Sequence, residues 1–318
     1  MSTAIPANIL EFEQLYKSEG ACREALFKMR WPNGFICPKC GKDKGWQRRE
    51  RLLIECAGCG YQASVTAGTM FHGFKLPLST IFRIVYHVVA EKSGTNCCAL
   101  SRQFGISYNA AAVWRRKVRD TMVRTGRTPL QGIVEIDEFK LGGPAEGCCG
   151  RKIGDNQALV LAMVEEAKPG VCGRIRLEYI PDATRETLTA VIKTQVASGS
   201  TIKTDGLRSY NDLAEQGFSH KATVLSKPKK AHEELPLVHR VASLFKRFIL
   251  GVLQGTWTYI WLQSVLDEFV FRFNRRNSTH RPLLFNRLLE EGLLRRPPTR
   301  KHFMRISAIA AQLTGVWL

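Results

Sequence analysis

Apolar residues recur along this chain with two different periods, and the change from one to the other divides it. Over residues 8–30, Leu10, Phe12, Leu15 and Tyr16, then Ala25, Leu26 and Met29, return at helical spacing. Residues 31–66 lose that period and are rich in cysteine, glycine and charge, as expected of a small loop-and-ribbon module. Residues 78–92 and 95–125 read as helices again, and the basic stretch RRKVRDTMVRTGR reads as a linker. From residue 132 the apolar runs shorten: GIVEIDEF, QALVLAMVE and GRIRLEYI, then the helical ATRETLTAVIKTQV, then TIKTDG, YNDLAEQG and KATVLS. That order predicts three strands, a helix, a strand, a helical piece and a last strand, followed by helices near 237–253 and 258–275. Mixed strands with helices on their faces make an α/β layer. The expected segments are thus 1–30 helical, 31–66 ribbon, 67–128 helical, 129–292 the α/β domain, and 293–318 a basic, then apolar, tail with no assigned role.

Charge narrows the partners. The 318 residues hold 47 Lys+Arg against 28 Asp+Glu, a formal charge of +19, which favours a polyanion. Nucleic acid is the first candidate and an anionic membrane surface the second. No run of 18 apolar residues predicts a membrane span, and MSTAIPANILEFEQ lacks the pattern of a signal peptide, so a cytoplasmic, nucleoid-associated protein is expected. In that compartment ten cysteines point to metal ligands and free thiols, not to a disulfide framework.

Four of them have metal-ligand spacing. Cys37 and Cys40 form one CxxC pair, Cys56 and Cys59 another, with fifteen residues between the pairs. Two-residue spacing lets both thiolates of a pair reach one ion, and four sulfurs close a tetrahedral structural zinc (Zn2+) site. A redox pair or unligated thiols are the other readings. Cys22, Cys97, Cys98, Cys148, Cys149 and Cys172 show no second ligand pattern. Lys39, Lys42, Lys44, Arg48, Arg49 and Arg51 around the ribbon suit phosphate contact. Downstream, Ala99, Leu100 and Phe104 give one apolar face, Gly105-Ile106-Ser107 a turn, and Arg115, Arg116, Lys117 and Arg119 a basic second helix. A short helix, a glycine turn and a basic helix form a helix-turn-helix candidate for the major groove, with Trp114 expected in the core.

Two carboxylates complete the candidate chemistry. Asp137 lies on the apolar strand IVEIDEFKLGG, and Asp205 ends the strand of STIKTDGLRSY. An acid at a strand exit is costly unless solvated, paired or metal-bound. Two such acids on adjacent strands could share divalent ions, as two-metal phosphoryl transfer requires. Glu135 is expected on the face of Asp137, and Glu138 on the opposite one.

The runs VEIDEFKLGG, TDGLRSY, LPLVHRVASLFKRFILG and YIWLQSVLDEFVFRFNRR, with FKMRWPNGFICPKCG and AGTMFHGFKLPL before them, resemble bacterial insertion-sequence transposases with an N-terminal zinc ribbon and a DDE-type domain. The resemblance spans residues 20–290 and implies an RNase H-like mixed sheet flanked by helices, and an enzyme that cuts and joins transposon ends with Mg2+ or Mn2+. It implies double-stranded DNA (transposon ends and target) as partner and a homo-oligomer on that DNA. By the same resemblance Asp137 matches the first catalytic acid and Asp205 the second. The third position normally holds Glu, with Lys seven residues on, and some relatives place Asn nearby. Here His239 stands thirty-four residues after Asp205 and seven before Lys246. Seven residues are about two turns, so His239 and Lys246 share a helix face. Imidazole suits manganese better than magnesium, and His239 could ligate metal or shuttle a proton. Glu233, Glu234 and Glu268 are rival third ligands, with Glu268 expected on the outside of its helix. Lys246 and Arg247 would sit beside the scissile phosphate, and Arg272, Arg275 and Arg276 could extend the DNA surface. A DNA-binding regulator without catalysis, an RNase H-like nuclease that cuts without joining, and a degenerate transposase are the competing functions.

Overall fold

A computed structural model describes residues 5–48, 53–73, 75–124, 126–143, 157–223, 235–255, 257–278 and 282–296. The chain forms two compact units, one of residues 1–124 with 278–303 and one of residues 125–277 with 304–318.

In the first unit the periodic run near the N-terminus makes two helices, not one: α1 (Ile9–Leu15) and α2 (Glu19–Arg30). Ser18 causes the break, because its side chain caps the second helix by accepting from Ala21 N. The ribbon follows as an antiparallel sheet of β1 (Gly45–Arg48), β2 (Leu53–Cys56) and β3 (Gln62–Ser64). Arg30, at the end of α2, donates to the carbonyls of Ser64, Val65 and Ala67 and ties the ribbon's exit to that helix. Then come α3 (Leu78–Ala90), α4 (Cys97–Phe104) and α5 (Tyr108–Met122). Gly105, at φ 62°, turns the chain between α4 and α5, and Asn96 and Ser107 cap the two helices. A helix at Pro282–Leu294, which the expected boundary at 292 grouped with the α/β segment, packs instead on α2, α3 and α5. Its Phe285 closes an aromatic cluster with Phe12, Tyr16, Phe82 and Tyr86, at centroid separations of 5.4, 5.5, 5.7 and 5.8 Å.

The second unit is built on β4 (Ile133–Leu141), β5 (Ala158–Lys168), β6 (Val171–Ile180), β7 (Thr201–Thr204) and β8 (Ser219–Ala222), in the order β6-β5-β4-β7-β8. The first three form an antiparallel meander, while β7 and β8 join parallel to β4. The parallel crossover is made by α6 (Arg185–Gln195) and the next by a 3-10 helix, Arg208–Leu213. These lie over one face, with Val134, Ile136, Ile202, Leu188, Ile192 and Tyr210 in a common core. The other face is covered by α7 (Pro236–Leu253) and α8 (Tyr259–Asn274). Strand β5 is buried on both faces, which explains its unbroken apolar run. The edge of β6 does not stay open: the Gln263 and Asn274 amides of α8 bond the backbone of Leu177, Tyr179 and Ile175 as a neighbouring strand would. This is an RNase H-like mixed α/β fold, preceded by a four-cysteine ribbon and a helix-turn-helix.

Candidate metal centre and catalytic site

The two CxxC knuckles have the same backbone construction. Cys37 N donates to Lys42 O and Gly41 N returns to Cys37 O; Cys56 N donates to Tyr61 O and Gly60 N returns to Cys56 O. Each turn ends on a glycine in the left-handed region, Gly41 at φ 74° and Gly60 at φ 67°, where a side chain would be strained. The folded pair of turns brings all four sulfurs within 4.8 Å of one another, with Cys37–Cys59 at 3.7 Å and Cys40–Cys56 at 3.5 Å. The Gly58 amide points at the Cys56 sulfur at 3.3 Å and lowers that thiol, favouring its thiolate, while the neighbouring sulfurs push Cys40 the other way. Four thiolates in this grouping fit a structural zinc ion and leave no open coordination position.

The aspartates are gathered by sheet register. Parallel pairing of β4 with β7 matches Glu135 to Lys203, so two residues further along Asp205 leaves β7 beside Asp137 on β4. Neighbouring strands run about 4.8 Å apart; Asp205 follows the last residue of β7, whereas Asp137 lies in the middle of β4, paired with Ala162 of β5, and not at the strand exit expected of it. Alternation then sets the face. Leu141 and Phe139 belong to the core under α7 and α8, and Val134 and Ile136 to the opposite one; Asp137 therefore points toward α7. Glu138 points the other way, where its carboxylate accepts from Tyr210 Oη at 2.6 Å. Tyr210 is fully buried in the 3-10 helix just after Asp205, so this bond braces the turn carrying one aspartate against the strand carrying the other. Burial first, then the Glu138, Asp137 and Asp205 charges around it, raise the Tyr210 phenol well above its ordinary value and keep it a donor. Asp205 accepts from Leu207 N at 3.1 Å, and Asp137 from Glu138 N at 2.8 Å.

The third and fourth positions lie on α7. His239 is half-buried in its first turn, and Ala242 is buried one turn on. Lys246 is exposed, with its ammonium 5.8 Å from the centre of the Phe139 ring, two residues beyond Asp137 on the same strand face. Arg247 is exposed on the same helix. Glu233 and Glu234 lie outside the described residues.

Other expectations need correction. Glu268 does not face outward: it is 1% exposed and takes two hydrogen bonds from Arg272, at 2.7 and 3.0 Å. That pairing also withdraws Arg272 from the surface, while Arg276 bonds the carbonyls of Cys172 and Gly173 at the edge of β6. On α5 the inward stripe runs through Ala111, Trp114, Arg115, Val118, Arg119 and Met122. Arg115 and Arg119 are therefore only 6% and 7% exposed, and Arg115 reaches the Cys97 sulfur at 3.6 Å. Lys117 donates to Met70 O at 2.8 Å. Arg116 is half-buried, and burial lowers its pKa to about 10. The residues α5 presents to solvent are Tyr108, Asn109 and Val113. Helical phase carried this information, but the run of cations obscured it.

A four-cysteine ribbon, a helix-turn-helix and an RNase H-like sheet with Asp137 within β4 and Asp205 just past β7 are the architecture of a DDE-type transposase. Residues 129–274 match the ISXO2-like transposase domain and residues 17–62 the transposase zinc-ribbon domain, together more than half of the chain. The chain belongs to the insertion-sequence transposases that carry these two domains. A search of curated proteins finds no match to it. Among the described residues no helix is long and apolar enough to cross a membrane.

Proposed function

We propose that this protein cuts and joins the ends of an insertion sequence by metal-dependent phosphoryl transfer, with Asp137, Asp205 and His239 holding divalent ions and Lys246 beside the scissile phosphate. What supports this reading is the β4–β7 register, by which Asp205, just past the end of β7, comes alongside Asp137 within β4, on the strand face toward the helix bearing His239 and Lys246. Two carboxylates with one imidazole form a hard-to-borderline donor set suited to Mg2+ or, better, Mn2+. Such ions, when bound, would stabilise the attacking and leaving oxygens of in-line displacement at phosphorus. The chain's own groups orient that chemistry. Asp137 and Asp205 are each fixed by a backbone amide. His239 can complete the ligand set or move a proton to and from the attacking oxygen. Lys246 and Arg247 offer charge to the DNA backbone. Double-stranded transposon ends and target DNA are the partners, bound by a homo-oligomer. The ribbon and helix-turn-helix would recognise the ends, through Tyr108, Asn109, Val113 and Arg116 of α5 ahead of its buried arginines.

The test is strand cleavage and joining on end-bearing DNA with Mn2+. Asp137→Asn and Asp205→Asn should each lower cleavage by about a thousandfold or more, the equivalent of several kcal/mol of lost charge stabilisation, while end binding persists. Undiminished cleavage in either variant would remove that residue from the site. Nicked products without joined ones would make the protein a nuclease, and binding without cleavage in the unmodified protein would make it a regulator.

A further inference from the structure

We propose that Glu135 is a positioning residue: from β4, two residues before Asp137, its carboxylate grips the first-turn amides of α7 and so sets where His239 stands relative to that aspartate. This rests on the reading of Asp137 and His239 as site residues. The start of α7 has no cap of its own. Its N-cap position is Leu235, which has no acceptor side chain, and Pro236 carries no N–H. The donors left over are Leu237 N and Val238 N. Both point at Glu135 Oε2, at 2.9 and 3.3 Å, across a sequence separation of about a hundred residues. His239 is the next residue along.

Glu135 is only 2% exposed, and burial raises its pKa while the two amides act against the rise. A buried carboxylate is a costly way to fill a strand position, and here that cost is offset by two amides that would otherwise lack an acceptor. What the carboxylate adds is direction: two charge-assisted bonds aligned with the helix axis fix the rotation and height of the first turn. Lys203, its register partner on β7, hydrogen-bonds Glu166 at 3.0 Å and acts on Glu135 through charge alone, lowering its pKa while the Glu166 charge raises it. The acidic run of β4 thus divides its labour. Glu138 braces the Asp205 turn through Tyr210, Glu135 braces α7, and Asp137 between them faces the site.

The test uses the full-length, zinc-loaded protein with Glu135→Gln and Glu135→Ala, alone and combined with His239→Ala. Manganese binding is read from the electron paramagnetic resonance signal of the free ion, and cleavage at saturating DNA. Removing an outer-shell partner of this kind costs about 10- to 100-fold in metal affinity or activity. We expect a loss in that range for Glu135→Ala, a smaller one for Glu135→Gln, unchanged end binding, and no further loss when either is added to His239→Ala. Wild-type manganese affinity and cleavage in the Glu135 variants would overturn the assignment, as would an undiminished additional loss in the His239→Ala background. If Glu135→Ala does not fold, Glu135→Gln decides. If circular dichroism shows that Glu135→Gln is unfolded too, the residue supports the whole sheet and not one helix, and the inference fails. Asp137→Asn separates the two levels. An inactive Asp137→Asn with normal Glu135 variants defeats only the positioning role, whereas an active Asp137→Asn, or a fully active His239→Ala, defeats the site on which it rests.

Discussion

The ribbon gathers its four ligand atoms over a short stretch of chain, whereas the site proposed on the α/β sheet draws on residues far apart in sequence. In the ribbon, two five-residue turns, each closed by its own backbone bonds and a glycine and joined by the β1–β2 pairing, place four sulfurs within 4.8 Å. In the sheet, Asp205 follows β7 alongside Asp137 on β4 through strand register, Tyr210 bonds Glu138, and Glu135 bonds the first turn of the helix that carries His239, so the proposed site draws on residues separated by whole elements. A local site is simple to encode, but three strands of four, four and three residues supply little core, so the metal itself must supply the stability. A nonlocal site needs a complete fold first, and the sheet has one, with β5 buried along most of its length between two helical layers.

The largest test of that contrast is zinc removal. Chelation, or Cys59→Ser, should forfeit a binding free energy of about 10–16 kcal/mol and unfold the ribbon. Hydrogen exchange should then show lost protection at Ile54 and Glu55, with protection kept at Leu161 on β5. A ribbon that stays protected without metal would erase the distinction.

Next in size is a cost intrinsic to the sheet. Burial, then the nearby Asp267 carboxylate, raises Glu178 to about 7 against an ordinary 4.5, while Arg127, 4.0 Å away, only partly offsets this. With its folded pKa raised, the folded protein holds this proton more tightly than the unfolded chain does. The sheet should therefore lose stability as pH rises from about 4.5 through 7, by up to about 3 kcal/mol. Glu178→Gln should recover that loss at pH 8 and change little at pH 4 in thermal melts of the second unit. An equal effect at both pH values would sink the assignment.

Smaller still, Tyr210→Phe removes a hydrogen bond to a carboxylate and should cost about 2 kcal/mol in denaturant unfolding of the sheet. It should leave zinc affinity untouched, and a change in zinc binding would mean that the ribbon depends on the sheet. At the bottom of the scale, Ser107→Ala removes the cap of α5 and should cost about 1 kcal/mol. The loss should appear only in the unit containing the ribbon, as measured by amide exchange in α5.

What could be read before folding follows the same division. The CxxC pairs were legible because ligand spacing and knuckle geometry are both local. The succession of strands and helices was legible from the change of apolar period at residue 132, and Asp205 from its place at a strand exit, whereas Asp137 proved to lie in the middle of β4. The destination of the arginines on α5 was not, since a basic run looks the same whether its side chains turn to solvent or, like Arg115 and Arg119, turn inward. Glu268 misled for the same reason: a carboxylate in a late helix reads as surface until Arg272 is found one turn away, burying it.

The order of residues by itself determined the periodicities, the knuckles, the helix caps at Ser18 and Ser107 and the excess of positive charge, because each depends on neighbours within a few positions. The tertiary structure alone decided that Asp205 emerges beside Asp137, that Glu135 caps a helix about a hundred residues away, and that Pro282–Leu294 packs with the N-terminal helices. Those outcomes depend on strand register and packed faces, which exist only once distant segments have excluded water from between them.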